Sequence, residues 1–272
     1  INEKEFNAVI VGSDQVWRLP YSQRIYSYFL DFINDSKIKK ISYAASFGVD
    51  YWEFDDEKTQ YLKDFIKQFS AISVREDTAI KLCNEKLDIE NVEEVLDPTL
   101  LLKAEDYKDL YKYENSISKG KIFSYILDKT PEKEKILNEI SIKLNKQVVS
   151  IQPNKTKKES LFIKDLDSYV YPKIETWIKG IAEAEFVITD SFHGTVFAIL
   201  HNKPFISIIN KERGAARFYS LLSKLNLTDR IISDYESLKL NSMSDIDYQN
   251  VNVMLEKYRL NSYNFLLSSL GE

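Results

Sequence analysis

The stretch Phe186-Val187-Ile188-Thr189-Asp190-Ser191-Phe192-His193-Gly194-Thr195-Val196-Phe197-Ala198 decides the fold class. Apolar and β-branched residues lead into Asp190 and Ser191, either of which can cap a helix. An apolar segment then runs on to Leu200, and a new apolar run begins at Pro204. This reads as a strand, a helix and a second strand, the repeating unit of a parallel sheet. Working outward, the same alternation fills the chain. Short apolar runs at Ala8 to Val11, Lys39 to Tyr43, Ala71 to Val74, Glu94 to Leu96, Lys121 to Ile126, Gln147 to Ile151, Phe186 to Thr189 and Pro204 to Ile208 predict buried parallel strands. Segments with apolar residues three and four apart predict crossover helices over Asp56 to Phe69, Glu76 to Glu85, Pro131 to Leu144, Lys173 to Ala184 and Arg213 to Leu225.

The chain has 272 residues, 44% hydrophobic and 29% charged, which excludes disordered, collagen-like and fibrous classes. The length fits two domains at about 150 residues each. The polar stretch Tyr113 to Gly120 is the best boundary, dividing the chain into 1–115 and 116–245. A last helix, Asp247 to Leu267, falls within 246–272 and is expected to pack back on either domain. A net charge of −5 argues against nucleic-acid binding, so any bound anion must be held locally. Cys83 is the one cysteine, so no internal disulfide forms and a cytoplasmic location fits. No apolar run approaches the roughly 20 residues of a membrane-spanning helix. The N-terminus shows no secretory signal and no initiator Met, and the N-terminal domain is expected to be incomplete.

In parallel sheets, ligands lie beyond the carboxyl ends of the strands. The residues there are Gly12-Ser13-Asp14-Gln15, Ala45-Ser46-Phe47-Gly48, Arg75-Glu76, Asp97-Pro98-Thr99 and Asp190 to Thr195. The last set opens a helix, whose free backbone N–H groups form an anion site. Gly194 there would let a ligand approach the backbone, and His193 sits in the first turn. The alternative is that Asp190 and Ser191 merely cap the helix. His201, near the end of the same helix, reads as a cationic partner of its C-terminal dipole. Arg75 can clamp a carboxylate or phosphate bidentately, or form a salt bridge to Asp97. Glu76 and Asp77 read as ordinary dipole complements. Asp14 either lies in a tight turn or is presented as a base. From Lys203 to Arg217, four cations (Lys203, Lys211, Arg213, Arg217) face one acid, Glu212, which reads as an anion pocket or a solvated face. No phosphate loop, dinucleotide fingerprint or nucleophile elbow occurs, and one Cys with two His offers no zinc site.

Together, Val9 to Trp17, Tyr43 to Gly48, Ser73 to Glu76, Val95 to Thr99 and Thr189 to Ala198 resemble the polysaccharide pyruvyl transferase family, with five motifs in the family's order. The resemblance implies a fold similar to GT-B glycosyltransferases, two Rossmann-like α/β domains facing across a cleft. It also implies transfer of the enolpyruvyl carbons of phosphoenolpyruvate, as a ketal, to a bacterial cell-surface polysaccharide or its lipid-linked precursor. The C-terminal domain would carry the donor site and the N-terminal domain the acceptor side.

On that resemblance, Arg75 and His193 hold the donor's anionic groups, joined by Lys211 or Arg213 and by Ser191, Gly194 and Thr195 at the helix start. Many members carry an arginine where this chain has Ser191. His193 is clamp or general acid and Asp14 the general base, while Ser13, Gln15, Ser46 and Asp190 line the acceptor side or cleft. No metal and no cofactor beyond the donor is expected. The partners are a small anionic donor and a glycan or lipid-linked acceptor, which leaves peripheral association with the inner membrane face open. The competing readings are a nucleotide-sugar glycosyltransferase and a non-catalytic anion- or glycan-binding module.

Overall fold

The computed structural model describes residues 5–152, 170–210, 213–238 and 244–271. The chain forms two compact units, one of Ile1–Leu101, Asn210–Thr228 and Gln249–Glu272, the other of Leu102–Ile209 and Asp229–Tyr248. Both are α/β and every strand pairing within the two sheets is parallel.

In the first unit, β1 (Ala8–Val11), β2 (Lys39–Ala45), β3 (Phe69–Val74) and β4 (Val92–Glu94) lie in that order across the sheet. Helices α1 (Asp56–Ile66) and α2 (Asp77–Leu87) cover one face. Leu62 and Ile66 of α1, with Leu82 and Leu87 of α2, close over Ile72 and Val74 in a core that also holds Trp17, Phe29 and Phe47. Asp55 caps α1 by accepting from the Lys58 N–H at 2.8 Å, replacing one of the hydrogen bonds a helix start lacks.

The other face of this sheet is covered by the last helix, α8 (Tyr248–Leu270), with Phe265 packed against Ile41, Tyr43 and Val95. The Leu96 N–H donates to Ser262 Oγ at 2.9 Å, and Arg259 Nε donates to the Leu100 carbonyl at 2.9 Å. The expected strand Glu94 to Leu96 is therefore displaced toward the N-terminus. Val95 still donates to the Val74 carbonyl, but the backbone of Leu96 is satisfied by side chains, its carbonyl accepting from Tyr43 Oη.

In the second unit the order is β6 (Val148–Ser150), β5 (Ile122–Tyr125), β7 (Phe186–Thr189), β8 (Phe205–Ile208) and β9 (Ile231–Ile232). Helix α4 (Pro131–Leu144) starts at a proline, is capped by Thr130 and buries Ile136 and Ile140 against Ile122, Ile188 and Ile206. Helices α5 (Ile174–Glu183) and α6 (Phe192–Leu200) bring Trp177 and Phe197 edge to face, with centroids 4.9 Å apart.

The division of the chain differs from the one expected at 115/116 and 245/246. An unanticipated helix, α3 (Ala104–Tyr111), buries Tyr107 edge-on to Phe197 at 5.0 Å, so the second unit starts at Leu102 rather than after Tyr113. Helix α7 (Ala216–Lys224), expected in the C-terminal domain, lies in the first unit. There Lys224 Nζ meets Glu94 at 2.7 Å and Ser220 Oγ accepts from the Asp77 N–H at 3.2 Å.

Removing a buried aromatic leaves a cavity that the core does not fully close. Phe265→Ala should therefore cost about 3–5 kcal/mol in urea unfolding if α8 is an integral layer of the first unit. A loss below about 1 kcal/mol would show that the helix is an accessory.

Candidate functional site

Four of the sequence motifs meet at the carboxyl ends of the first unit's strands. Trp17 anchors the first. It is fully buried, stacks on Phe29 at 5.0 Å, and its indole N–H donates to the Tyr28 carbonyl at 2.9 Å. Gly12 permits the turn after β1. Its φ is 142°, and a Cβ there would sit 1.9 Å from the Tyr43 carbonyl oxygen. Asp14 follows with φ at 60°, and its carbonyl accepts from the Ser46 N–H at 3.0 Å, tying this loop to the one after β2. The Asp14 side chain is 60% exposed, whereas the groups that hold it are buried.

Those groups are two guanidiniums. Arg75 Nη1 meets Asp97 Oδ2 at 2.6 Å, with both side chains 1% exposed, and Nη2 meets Asp14 Oδ1 at 3.0 Å. Arg217 Nη1 reaches the same Asp14 oxygen at 3.2 Å. Asp97 also accepts from the N–H and hydroxyl of Thr99. Burial opposes the charge on Arg75, but Asp97, Glu76 and Asp14 outweigh it and raise its pKa. For Arg217, burial and then repulsion from Arg75 bring the value down to about 10, leaving it cationic at neutral pH.

Glu76 is more than the ordinary dipole complement expected. It is fully buried, and Oε1 accepts from Ser46 Oγ at 2.9 Å and from the Gly48 N–H at 3.0 Å. Burial pushes its carboxyl up against the pull of Arg75. Ser46 is thus a fully buried brace rather than a cleft residue. Gln15 is buried too, and donates to the Arg213 carbonyl at 3.0 Å, pinning the loop that leads into α7. Ser13 is half-buried between Gly12 and Asp14. Arg213 is half-buried as well, and Lys211 lies outside the described residues. Of the four cations, Lys203 belongs to the second unit and Arg213 and Arg217 to the first.

The second unit carries the motif after β7. Ser191, not Asp190, caps α6, its Oγ accepting from the Gly194 N–H at 3.3 Å. Asp190 is buried and occupied. It accepts from the N–H groups of Leu127 at 2.6 Å and Asp128 at 3.1 Å, and from Lys133 Nζ at 2.6 Å, fixing the loop between β5 and α4. Its carboxylate is a brace inside the unit, not an open cleft group. Thr195 is fully buried, with its hydroxyl 3.2 Å from the Ser191 carbonyl and 2.7 Å from Ser207 Oγ. Gly194 is needed for a neighbour rather than a ligand, because a Cβ there would lie 2.3 Å from Thr189 Oγ1. Among these residues His193 is the half-buried one, its ring edge-on to Phe192 at 5.7 Å.

His201 is not the cationic dipole partner expected. It packs on Phe197 and Tyr111, and burial followed by repulsion from Lys203 lowers its pKa to about 4, so it is neutral at pH 7. Among the described residues no group of three or more His, Cys, Asp or Glu is placed to hold a metal. No helix there is long and apolar enough to cross a membrane.

The family model for polysaccharide pyruvyl transferases matches residues 1–212. The chain belongs to the polysaccharide pyruvyl transferase family, and is therefore a transferase enzyme. No curated protein matches it. A solved structure of the wall teichoic acid polymerase TagF is similar at a TM-score of 0.49 and 10% identity, over 97% of this chain and 72% of that one.

The His201 environment makes a pH prediction. A histidine at about 4 in the fold and near 6.5 when unfolded binds fewer protons in the native state between those values. Its contribution is present above pH 6.5 and lost as pH falls toward 4. His201→Phe should flatten this part of the acid limb in urea titrations, whereas an unchanged slope would mean that the histidine protonates freely in the fold.

Proposed function

We propose that this enzyme transfers the three-carbon group of phosphoenolpyruvate to two hydroxyls of a bacterial cell-surface polysaccharide or its lipid-linked precursor, forming a cyclic ketal and releasing phosphate. The family match over residues 1–212 carries this reading. The exposed Asp14 carboxylate, fixed beyond the strand ends by two guanidiniums, supports it with a group suited to proton transfer.

The chemistry needs an acid, a base and charge stabilisation. Protonation of the donor's methylene carbon leaves an oxocarbenium-like centre at C2, which the first acceptor hydroxyl attacks as its proton departs. The bond from C2 to the phosphate oxygen then breaks, and the second hydroxyl closes the ring. Of the two protons the hydroxyls release, one replaces that taken up at carbon and the other is carried off with the phosphate. No redox step is involved, so the reading calls for no cofactor.

Asp14 takes the hydroxyl proton in this scheme. Its single oxygen shared between Arg75 and Arg217 is also the ligand that an incoming anion would displace from those guanidiniums. Arg75 reaches a donor only through that exchange, because Asp97 holds its other edge. In the second unit, His193 and the first turn of α6 supply the acid or a phosphate clamp, each charged hydrogen bond contributing about 1.5–3 kcal/mol. Arg213 and Lys211 complete the proposed donor contacts. The reading places the enzyme in the cytoplasm, with access to lipid-linked glycans at the inner membrane face.

Incubation with phosphoenolpyruvate and a lipid-linked glycan extract should add about 70 Da, the mass of C₃H₂O₂, to the acceptor, because the donor carries the transferred carbons. His193→Ala should lower that turnover by about 10²–10⁴-fold without unfolding the protein. Full turnover and unchanged donor affinity in the variant would refute the role given to His193, and transfer from UDP-sugars in place of phosphoenolpyruvate would refute the donor.

A further inference from the structure

Beyond the loop that carries Asp14, the chain continues Arg18-Leu19-Pro20-Tyr21. Leu19–Tyr21 form one short 3-10 turn in which Pro20 fixes the backbone. Tyr21 is 55% exposed, and yet it is firmly held. Arg18 Nη1 donates to its hydroxyl at 3.0 Å, and the guanidinium carbon lies 4.6 Å from the ring centroid. Arg18 itself is 4% exposed, with its Nε 3.6 Å from a Glu53 carboxylate oxygen. A buried cation thus backs the ring and pins its hydroxyl, while over half of the residue remains open to solvent. The Tyr21 N–H donates to the Arg18 carbonyl at 3.1 Å and the Arg18 N–H to the Gln15 carbonyl at 3.2 Å, which ties this turn to the loop that carries Asp14.

An aromatic ring immobilised in advance offers contact area at little entropic cost on binding. Phosphoenolpyruvate is a small, highly charged molecule with no extended apolar face to place there. A sugar ring has both a C–H face that packs on an aromatic and hydroxyls that seek charged partners. We infer that Tyr21 is a platform on which a sugar ring of the acceptor stacks, positioning its hydroxyls toward Asp14. The inference rests on the glycan-transfer reading above and adds a residue that selects the acceptor.

Tyr21→Ala takes the hydroxyl acceptor from a buried guanidinium, so it should lower the melting temperature and yet stay folded at the assay temperature. In pyruvyl transfer to the lipid-linked glycan extract, it should raise the half-saturating acceptor concentration about tenfold, with that for phosphoenolpyruvate unchanged and Tyr21→Trp close to wild type. Equal acceptor saturation in all three proteins would overturn the platform.

Saturation-transfer NMR tests it without the donor, using oligosaccharides released from bacterial cell-surface polysaccharide. Wild type and Tyr21→Trp should transfer signal to sugar C–H protons and Tyr21→Ala should not. No signal with wild type, or signal indifferent to Tyr21, would overturn it. Tyr21-dependent signal in a protein that transfers no pyruvyl group would support the platform and refute the donor assignment instead.

Discussion

A guanidinium buried at the end of a parallel strand loses its hydration, at a cost of several kcal/mol unless carboxylates meet it. Arg75 is in that position, and the first unit's strand-end loops are arranged around its compensation. Asp97, from the segment after β4, takes one edge at 2.6 Å, and Asp14, from the loop after β1, takes the other at 3.0 Å. Glu76, next in sequence, braces the loop after β2 through Ser46 and Gly48. The charge that makes the interior costly also specifies which loops converge, since leaving either partner unmet would cost about 3–5 kcal/mol.

This network separates residues that hold from residues that present. Arg75, Asp97, Glu76, Gln15 and Ser46 are all buried, each with a hydrogen bond or ion pair inside the first unit. Asp14 alone among them extends a mostly exposed side chain. The second unit follows a similar division, with Asp190 and Thr195 consumed by internal hydrogen bonds and His193 left half-buried at the start of α6. A functional group open to solvent but aimed by buried neighbours is what proton transfer at a defined atom requires.

Strands such as Ala8–Val11 and Phe186–Thr189 are legible from sequence because apolar runs bounded by polar loops have few alternatives. Helix α3 is not, since its Glu, Asp and Lys residues are as many as its apolar and aromatic ones and Tyr107 alone is buried. The membership of α7 was hidden for a different reason. Its place in the first unit depends on Arg217 meeting Asp14 and Lys224 meeting Glu94, pairings across more than a hundred residues that no local pattern encodes. The site motifs were found at the strand ends, but their roles were less visible. Asp190, Thr195 and Gly194 look like ligand groups in sequence and prove to be packing devices, because hydrogen-bond saturation and the 2.3 Å approach of Thr189 are properties of the fold. Arg217 carried a signal only as one cation in a basic segment, and Glu76 only as an acid next to a strand-end arginine.

Asp14 works as part of a charged unit with the guanidinium brought to it by α7. A double-mutant cycle reads this directly, with Asp14→Asn, Arg217→Met and the double variant compared in phosphoenolpyruvate-dependent transfer. The two changes should be coupled by about 1–3 kcal/mol, the double variant losing markedly less than the sum of the singles. Effects that add within about 0.5 kcal/mol would show that the two residues act independently and would contradict it.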